Sequence, residues 1–172
     1  MDKIIRLHRS LGIPTTYAAQ RGLPVYDEAT NLVVADRDPD GELVQLTPEA
    51  AERWILMKSA ARRNGVIMWA ESGFRSVARQ AELIRRELAV SNSIEDVLTW
   101  VAAPGHSEHH TGRALDITSP DCYPNTLEFD KTDAFLWLST HANAHGFYLS
   151  YPPGNPYGLI YEPWHWCSNS KG

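Results

Sequence analysis

Cysteine is nearly absent: the chain of 172 residues holds only Cys122 and Cys167. Two thiols are too few for a disulfide framework or a cysteine-rich structural zinc site. They leave two alternatives open, one disulfide or a pair of free buried thiols. Long apolar runs are also missing. No stretch reaches the ~18 apolar residues of a membrane-spanning helix, so no span is expected. Residues Met1 to Arg9 carry charges throughout and do not read as a secretory leader. The expected location is the cytoplasm, or an exported one if the natural leader is missing from this sequence. There is no basic excess either. The net charge is −5, whereas a nucleic-acid partner asks for a basic stripe, so none is expected. Internal repeats and low-complexity tracts are lacking.

What is present suits one soluble-type domain with a sizeable core: 43% hydrophobic and 22% charged residues. Residues 1–46 carry many turn signals and little periodicity. They read as an irregular arm packed on the domain, with a hairpin around Asp40-Gly41. The domain proper is expected over 47–172. Thr47 and Pro48 open a helix that Asn64-Gly65 ends, with Trp54, Ile55, Met57, Ala60 and Ala61 among its apolar positions. Val66 to Ala70 reads as a buried strand. Helices follow at 77–89 and after the N-cap signal Ser93. Arg113 to Thr118 alternates as a strand, with Ala114 and Asp116 on one face and Leu115 and Ile117 on the other. Asp133 to Ala144 reads as a helix closed by Gly146. Phe147 to Tyr151 and Gly158 to Tyr161 read as the closing strands. Helices come first and strands cluster late, which predicts an α+β fold with an antiparallel sheet.

Two short segments carry chemistry. Ser107-Glu108-His109-His110-Thr111-Gly112-Arg113-Ala114-Leu115-Asp116 is followed about fifty residues later by Glu162-Pro163-Trp164-His165. Together they offer two imidazoles, a carboxylate ligand and a spare carboxylate. A hydrolytic zinc site uses three protein ligands, an open position for water and a base beside it. Gly112 permits a sharp turn that would bring His109 toward Asp116. His165 supplies a third donor, and Glu162, held close by Pro163, a base. His110 competes with His109; the shared face of His109 and Ser107 favours His109. Hydrogen-bonded or solvated side chains would account for each of these residues taken singly. His141 and His145 have the spacing of a helical zinc pair but lack the intervening glutamate, and read as a helix face.

In this pattern, Ser107-x-His109-x-x-Gly112-x-Ala114-x-Asp116 with Glu162-Pro163-Trp164-His165, the chain resembles the zinc D-alanyl-D-alanine peptidases of the VanY type. That group also holds bacteriophage endolysin peptidases and the Hedgehog signalling domain. The resemblance extends to Ser72-Gly73-Phe74-Arg75-Ser76 with Gln80, Pro104-Gly105, Trp137-Leu138, Gly146-Phe147 and Tyr151-Pro152, and covers roughly 47–167. It implies one zinc ion per chain on His109, Asp116 and His165. Glu162 would move protons, and Arg75 would stabilise the oxyanion. Ser107 and Gln80 would contact the peptide. The implied activity is removal of a terminal D-alanine from a peptidoglycan-derived peptide. An L,D-carboxypeptidase, a muropeptide endopeptidase and a non-catalytic metal-stabilised binding module are the alternatives. The chain departs from the pattern at Ser150, where many members carry a basic residue. Oligomeric state is not legible.

Overall fold

The computed structural model describes residues 2–91 and 93–169, so Met1 and the end of the expected 47–172 domain lie outside the described residues. Four strands form the central sheet: β3 (Trp69–Ser72), β4 (Ala114–Thr118), β5 (Phe147–Leu149) and β6 (His165–Ser168). They are antiparallel, in the order β3-β4-β6-β5. Every residue of β4 is buried, because it is flanked on both sides and covered on both faces. Alternation sends Leu115 and Ile117 into the main core, where they join Ala70, Phe147 and Trp166. That core is completed by Trp54, Met57 and Ala61 of α3 (Pro48–Arg63) and by Ala134 and Leu138 of α6 (Asp133–His141). The opposite face of β4 carries Asp116. The architecture is mixed α+β with an antiparallel sheet, as the element order predicts.

Helix α3 obeys its sequence signals in most respects. Pro48 opens it, and Gly65, at φ +80°, closes it while the Gly65 and Val66 amides cap Arg62 and Ala61 carbonyls. Thr47 stands at the N-cap, but its hydroxyl makes no capping bond there. Ile55 lies on the outer face. Trp54 is fully buried and its indole N–H donates to Asp36 at 3.0 Å. Trp54→Ala should therefore cost about 3–5 kcal/mol, read as a lower urea midpoint with an unchanged slope.

Several boundaries differ from the sequence reading. The strand expected over 66–70 runs instead from Trp69 to Ser72, because pairing with β4 begins at Trp69 opposite Thr118. Residues 158–161 form no strand. Ile160 N–H bonds to the Thr99 carbonyl, and the strand that pairs with β5 is β6. The strand after Gly146 stops at Leu149. The helix from Asp133 tightens into a 3-10 turn over Ala142–His145 before Gly146. Cys122 and Cys167 are free thiols, which removes the disulfide alternative.

The arm is more regular than its turn signals suggest. It holds α1 (Asp2–Ser10), α2 (Tyr17–Arg21) and the expected hairpin, β1 (Val33–Arg37) with β2 (Leu43–Leu46). Helix α4 (Val77–Leu88) is capped by the Ser76 hydroxyl, and α5 (Ile94–Val97) by that of Ser93. Leu11, Ile13, Tyr17 and Leu23 of the arm pack on Ala81 and Ile84 of α4 and Val97 of α5 in a second core. The arm also grips the segment before Asp116. His8 donates to the Pro104 carbonyl at 2.6 Å, His106 to that of Pro24 at 2.7 Å, and the Tyr26 and Ala29 amides bond Gly105 and His110 carbonyls.

Candidate active site and metal centre

Sheet register builds the site. Asp116 sits near the middle of β4, paired on one side with Ser72 of β3 and on the other with His165 of β6. His109 arrives from a single 3-10 turn, Glu108–Thr111, that ends at Gly112 with φ +63°. A side chain at Gly112 would be strained by that φ and would meet Leu32, Ala29 and Thr47. Gly73 has a different reason to be glycine: a Cβ there would stand 2.5 Å from the Gln45 carbonyl of the hairpin. The donor atoms of His109, Asp116 and His165 all lie within 4.8 Å of one another, and all three residues are buried. His109 Nε2 is 3.2 Å from one Asp116 oxygen and His165 Nδ1 is 3.0 Å from the other.

The donor set fits a tetrahedral dication. Metal–donor bonds of ~2.0–2.1 Å put neighbouring ligands about 3.3 Å apart, and the two imidazoles stand 3.2 and 3.0 Å from opposite oxygens of Asp116, with all donors within 4.8 Å. The hydrogen bonds agree. His109 Nδ1 faces the Gly73 carbonyl at 2.6 Å, so its proton belongs there and the Nε2 lone pair points at Asp116. An imidazole lone pair aimed at a carboxylate asks for a cation between them. Burial keeps His109 on the neutral side of its ordinary range. Burial opposes the charge on Asp116 too, but His109 and His165 more than offset it and hold Asp116 well below the usual carboxylate range.

The structure separates the competing histidines. His110 is fully buried with both ring nitrogens used, Nδ1 by the Arg75 carbonyl at 2.6 Å and Nε2 by the Gly105 amide at 3.0 Å. It ties the turn to the β3–α4 connection. His141 ends α6 and His145 ends the 3-10 turn after it; both rings lie close to Trp137, and neither belongs to the donor cluster.

All seven sequence-predicted site residues line one cleft of about 300 Å³. Arg75 leans into it, 3.4 Å from Asp116, with bonds to Ser72 at 3.1 Å and to the Gln80 carbonyl oxygen at 3.2 Å. Gln80 is buried, and its NH2 donates to the Ala102 carbonyl at 2.8 Å, so both ends of the amide have protein partners. Ser107 is buried at the cleft edge and its hydroxyl caps no helix. Glu162 stands on the turn that leads into β6, its amide bonded to the Tyr151 carbonyl and its own carbonyl to the His165 amide. Burial raises its carboxyl to about 7, with His165 and Arg75 opposing and Asp116 adding to the rise. That is the range of a base matched to neutral pH.

Two contributors escape the sequence reading. Tyr151 stacks on His165 with ring centroids 4.7 Å apart, and Glu108 reaches the far nitrogen of the same imidazole at 3.0 Å. Glu108 occupies an unspecified position of the motif. Its adjacency to His109 in sequence says nothing of its contact with His165, fifty-seven residues on.

A buried His-Asp-His cluster with a separate carboxylate and a guanidinium in one cleft is the kind of donor set that metal-dependent hydrolases use. The chain belongs to the VanY family, described as D-alanyl-D-alanine carboxypeptidase, whose model matches residues 43–169. A putative carboxypeptidase, YodJ, of Bacillus subtilis (strain 168) is 33% identical over 153 residues, spanning 85% of this chain and 56% of the relative. The chain thus matches about half of that relative's length. Among solved structures, the LdcB LD-carboxypeptidase superposes with a TM-score of 0.74 at 31% identity, covering 84% of this chain and 71% of that one. A mutant of the vancomycin-resistance D,D-pentapeptidase VanY of the VanB-type cassette, in complex with Zn(II), gives 0.63 at 27% identity, covering 83% and 79%. No helix among the described residues is long and apolar enough to cross a membrane.

Proposed function

We propose that the chain is a zinc carboxypeptidase that hydrolyses the terminal D-alanyl-D-alanine bond of peptidoglycan-derived peptides, with one ion per chain on His109, Asp116 and His165. The observation that carries this reading is the convergence of those three donors with Glu162 and Arg75 in a single cleft. Zinc, when bound, supplies Lewis acidity toward the scissile carbonyl and a lowered pKa for water. The protein's own groups do the rest. Glu162 takes the proton of the attacking water and delivers it to the departing amine. The Arg75 guanidinium, steadied by Gln80 and Ser72, meets the negative charge that grows on the carbonyl oxygen. Ser107 contacts the peptide main chain. Gln80, beside the peptide in the cleft, serves chiefly by aiming Arg75. Apolar walls from Tyr151, Leu159 and Trp164 exclude water and strengthen these interactions.

A second reading, L,D-carboxypeptidase, is favoured by the superposition on an LD-carboxypeptidase over 84% of this chain. The chemistry is shared and only the fit of the penultimate residue differs. A panel of D-Ala-D-Ala dipeptide, a pentapeptide and a tetrapeptide separates the two. Release of the last D-alanine from the pentapeptide supports the first reading, and release from the tetrapeptide alone supports the second. No release from any peptide by zinc-loaded protein rules out both. Chelator should remove the activity and added zinc restore it, with metal analysis giving one ion per chain. A binding module without activity has no use for a buried carboxylate that lines the cleft but is not one of the three donors, which weighs against that alternative.

A further inference from the structure

Glu108 is buried between Ser107 and His109, and nothing in a three-ligand centre with one base requires it. Its side chain turns away from the turn it sits on and crosses to β6. One oxygen lies 3.0 Å from His165 Nε2, and the other is 3.5 Å from the Tyr148 hydroxyl, which donates to it. An ionised carboxylate only accepts hydrogen bonds, so the imidazole proton on that side must sit on Nε2. With zinc bound, the nitrogen left to offer a lone pair is then Nδ1, the one that faces Asp116 3.0 Å away. His109 is the mirror case, with its proton on Nδ1 and its lone pair on Nε2, held by the Gly73 carbonyl. The two imidazoles therefore offer opposite nitrogens, and each choice is dictated by a different partner. One partner is neutral backbone. The other is a full negative charge.

We propose that Glu108 is a positioning residue of the metal centre: it locks His165 as an Nδ1 donor and, with Asp116, gives the site a second negative charge to balance a dication. This rests on the assignment of His109, Asp116 and His165 as ligands. An outer carboxylate that accepts from a ligating imidazole fixes the ring and makes it a stronger donor. Tyr151, stacked on the same ring, restrains its plane but cannot choose its tautomer.

The test compares the parent, Glu108→Ala and Glu108→Gln, using zinc alone as the probe. Zinc affinity is measured by competition with a chromophoric chelator. The protonated nitrogen of His165 is read by 15N NMR of the zinc-loaded protein. Glu108→Ala should bind zinc about 10–100-fold more weakly, and the His165 Nε2–H signal should broaden or vanish as the proton loses its acceptor. In Glu108→Gln the amide oxygen still accepts, so the Nε2–H signature should persist while affinity falls by a smaller factor from loss of charge. If Glu108→Ala does not fold, Glu108→Gln decides, and zinc affinity within twofold of the parent overturns the proposal. A folded Glu108→Ala with parental affinity and an unchanged His165 signal also overturns it, leaving the three-ligand centre intact. A parent chain that binds no zinc removes the metal centre itself and this role with it.

Discussion

Glu162→Gln should bind zinc as tightly as the parent and yet lose nearly all turnover, by roughly 10²–10⁴-fold or more in kcat, the scale of a positioned general base. The reason is geometric. Glu162 belongs to the turn before β6 and is not one of the three donors that face one another across Asp116. Its amide replacement keeps size and can still accept a hydrogen bond, but it cannot take a proton at any ordinary pH. Burial that raises the native carboxyl to about 7 makes its carboxylate a stronger base toward water, while the protonated form is still more acidic than the ammonium of a departing amine. Equilibrium dialysis against zinc, run beside the peptide assay, separates loss of base from loss of metal. Activity within a few-fold of the parent would show that another group moves the proton.

Arg75→Ala should lower kcat/KM by about 10²–10³-fold, the effect of removing one oxyanion donor. The loss should fall mostly on kcat, because the charge it meets develops only in the transition state. Arg75 is tied at both ends of its guanidinium, to Gln80 on one side and to Ser72 and Asp116 on the other. That restraint is what separates it from a mobile surface arginine. Arg75→Lys should recover little, since an ammonium cannot span the same three acceptors. Gln80→Ala, which leaves the guanidinium in place but frees one end, should produce a smaller loss in the same parameter. A change under a few-fold in Arg75→Ala would make the residue a bystander.

Legibility varied by element for physical reasons. Helices α3, α4 and α5 were readable because their caps and turn residues are local: Pro48, Ser76 and Ser93 act within one turn of where they stand. Strand β4 was readable because its alternation is strict. Strand β6 was not, since His165-Trp166-Cys167-Ser168 lacks the apolar–polar alternation that Leu115 and Ile117 make with Asp116 and Thr118 in β4. Residues 158–161 were apolar enough for a strand, but Ile160 bonds to Thr99 and not to a strand of the sheet. The arm hid its helices because its stability comes from packing on α4 and α5 in the second core, not from its own propensity.

The candidate donors were legible because the spacing His109-x-x-Gly112-x-x-x-Asp116 lets one glycine reverse the chain, and that is a local event. The chemistry of the donors, two imidazoles, a ligating carboxylate and a spare one, was likewise set by residue type. Tertiary structure decided everything that depends on which strand lies beside which. Antiparallel register placed His165 against Asp116 across forty-nine residues, tied up His110 in backbone bonds, and carried Glu108 to the far side of an imidazole. A hydrogen-bond partner that chooses a tautomer is a long-range contact, and a linear pattern holds local distances alone.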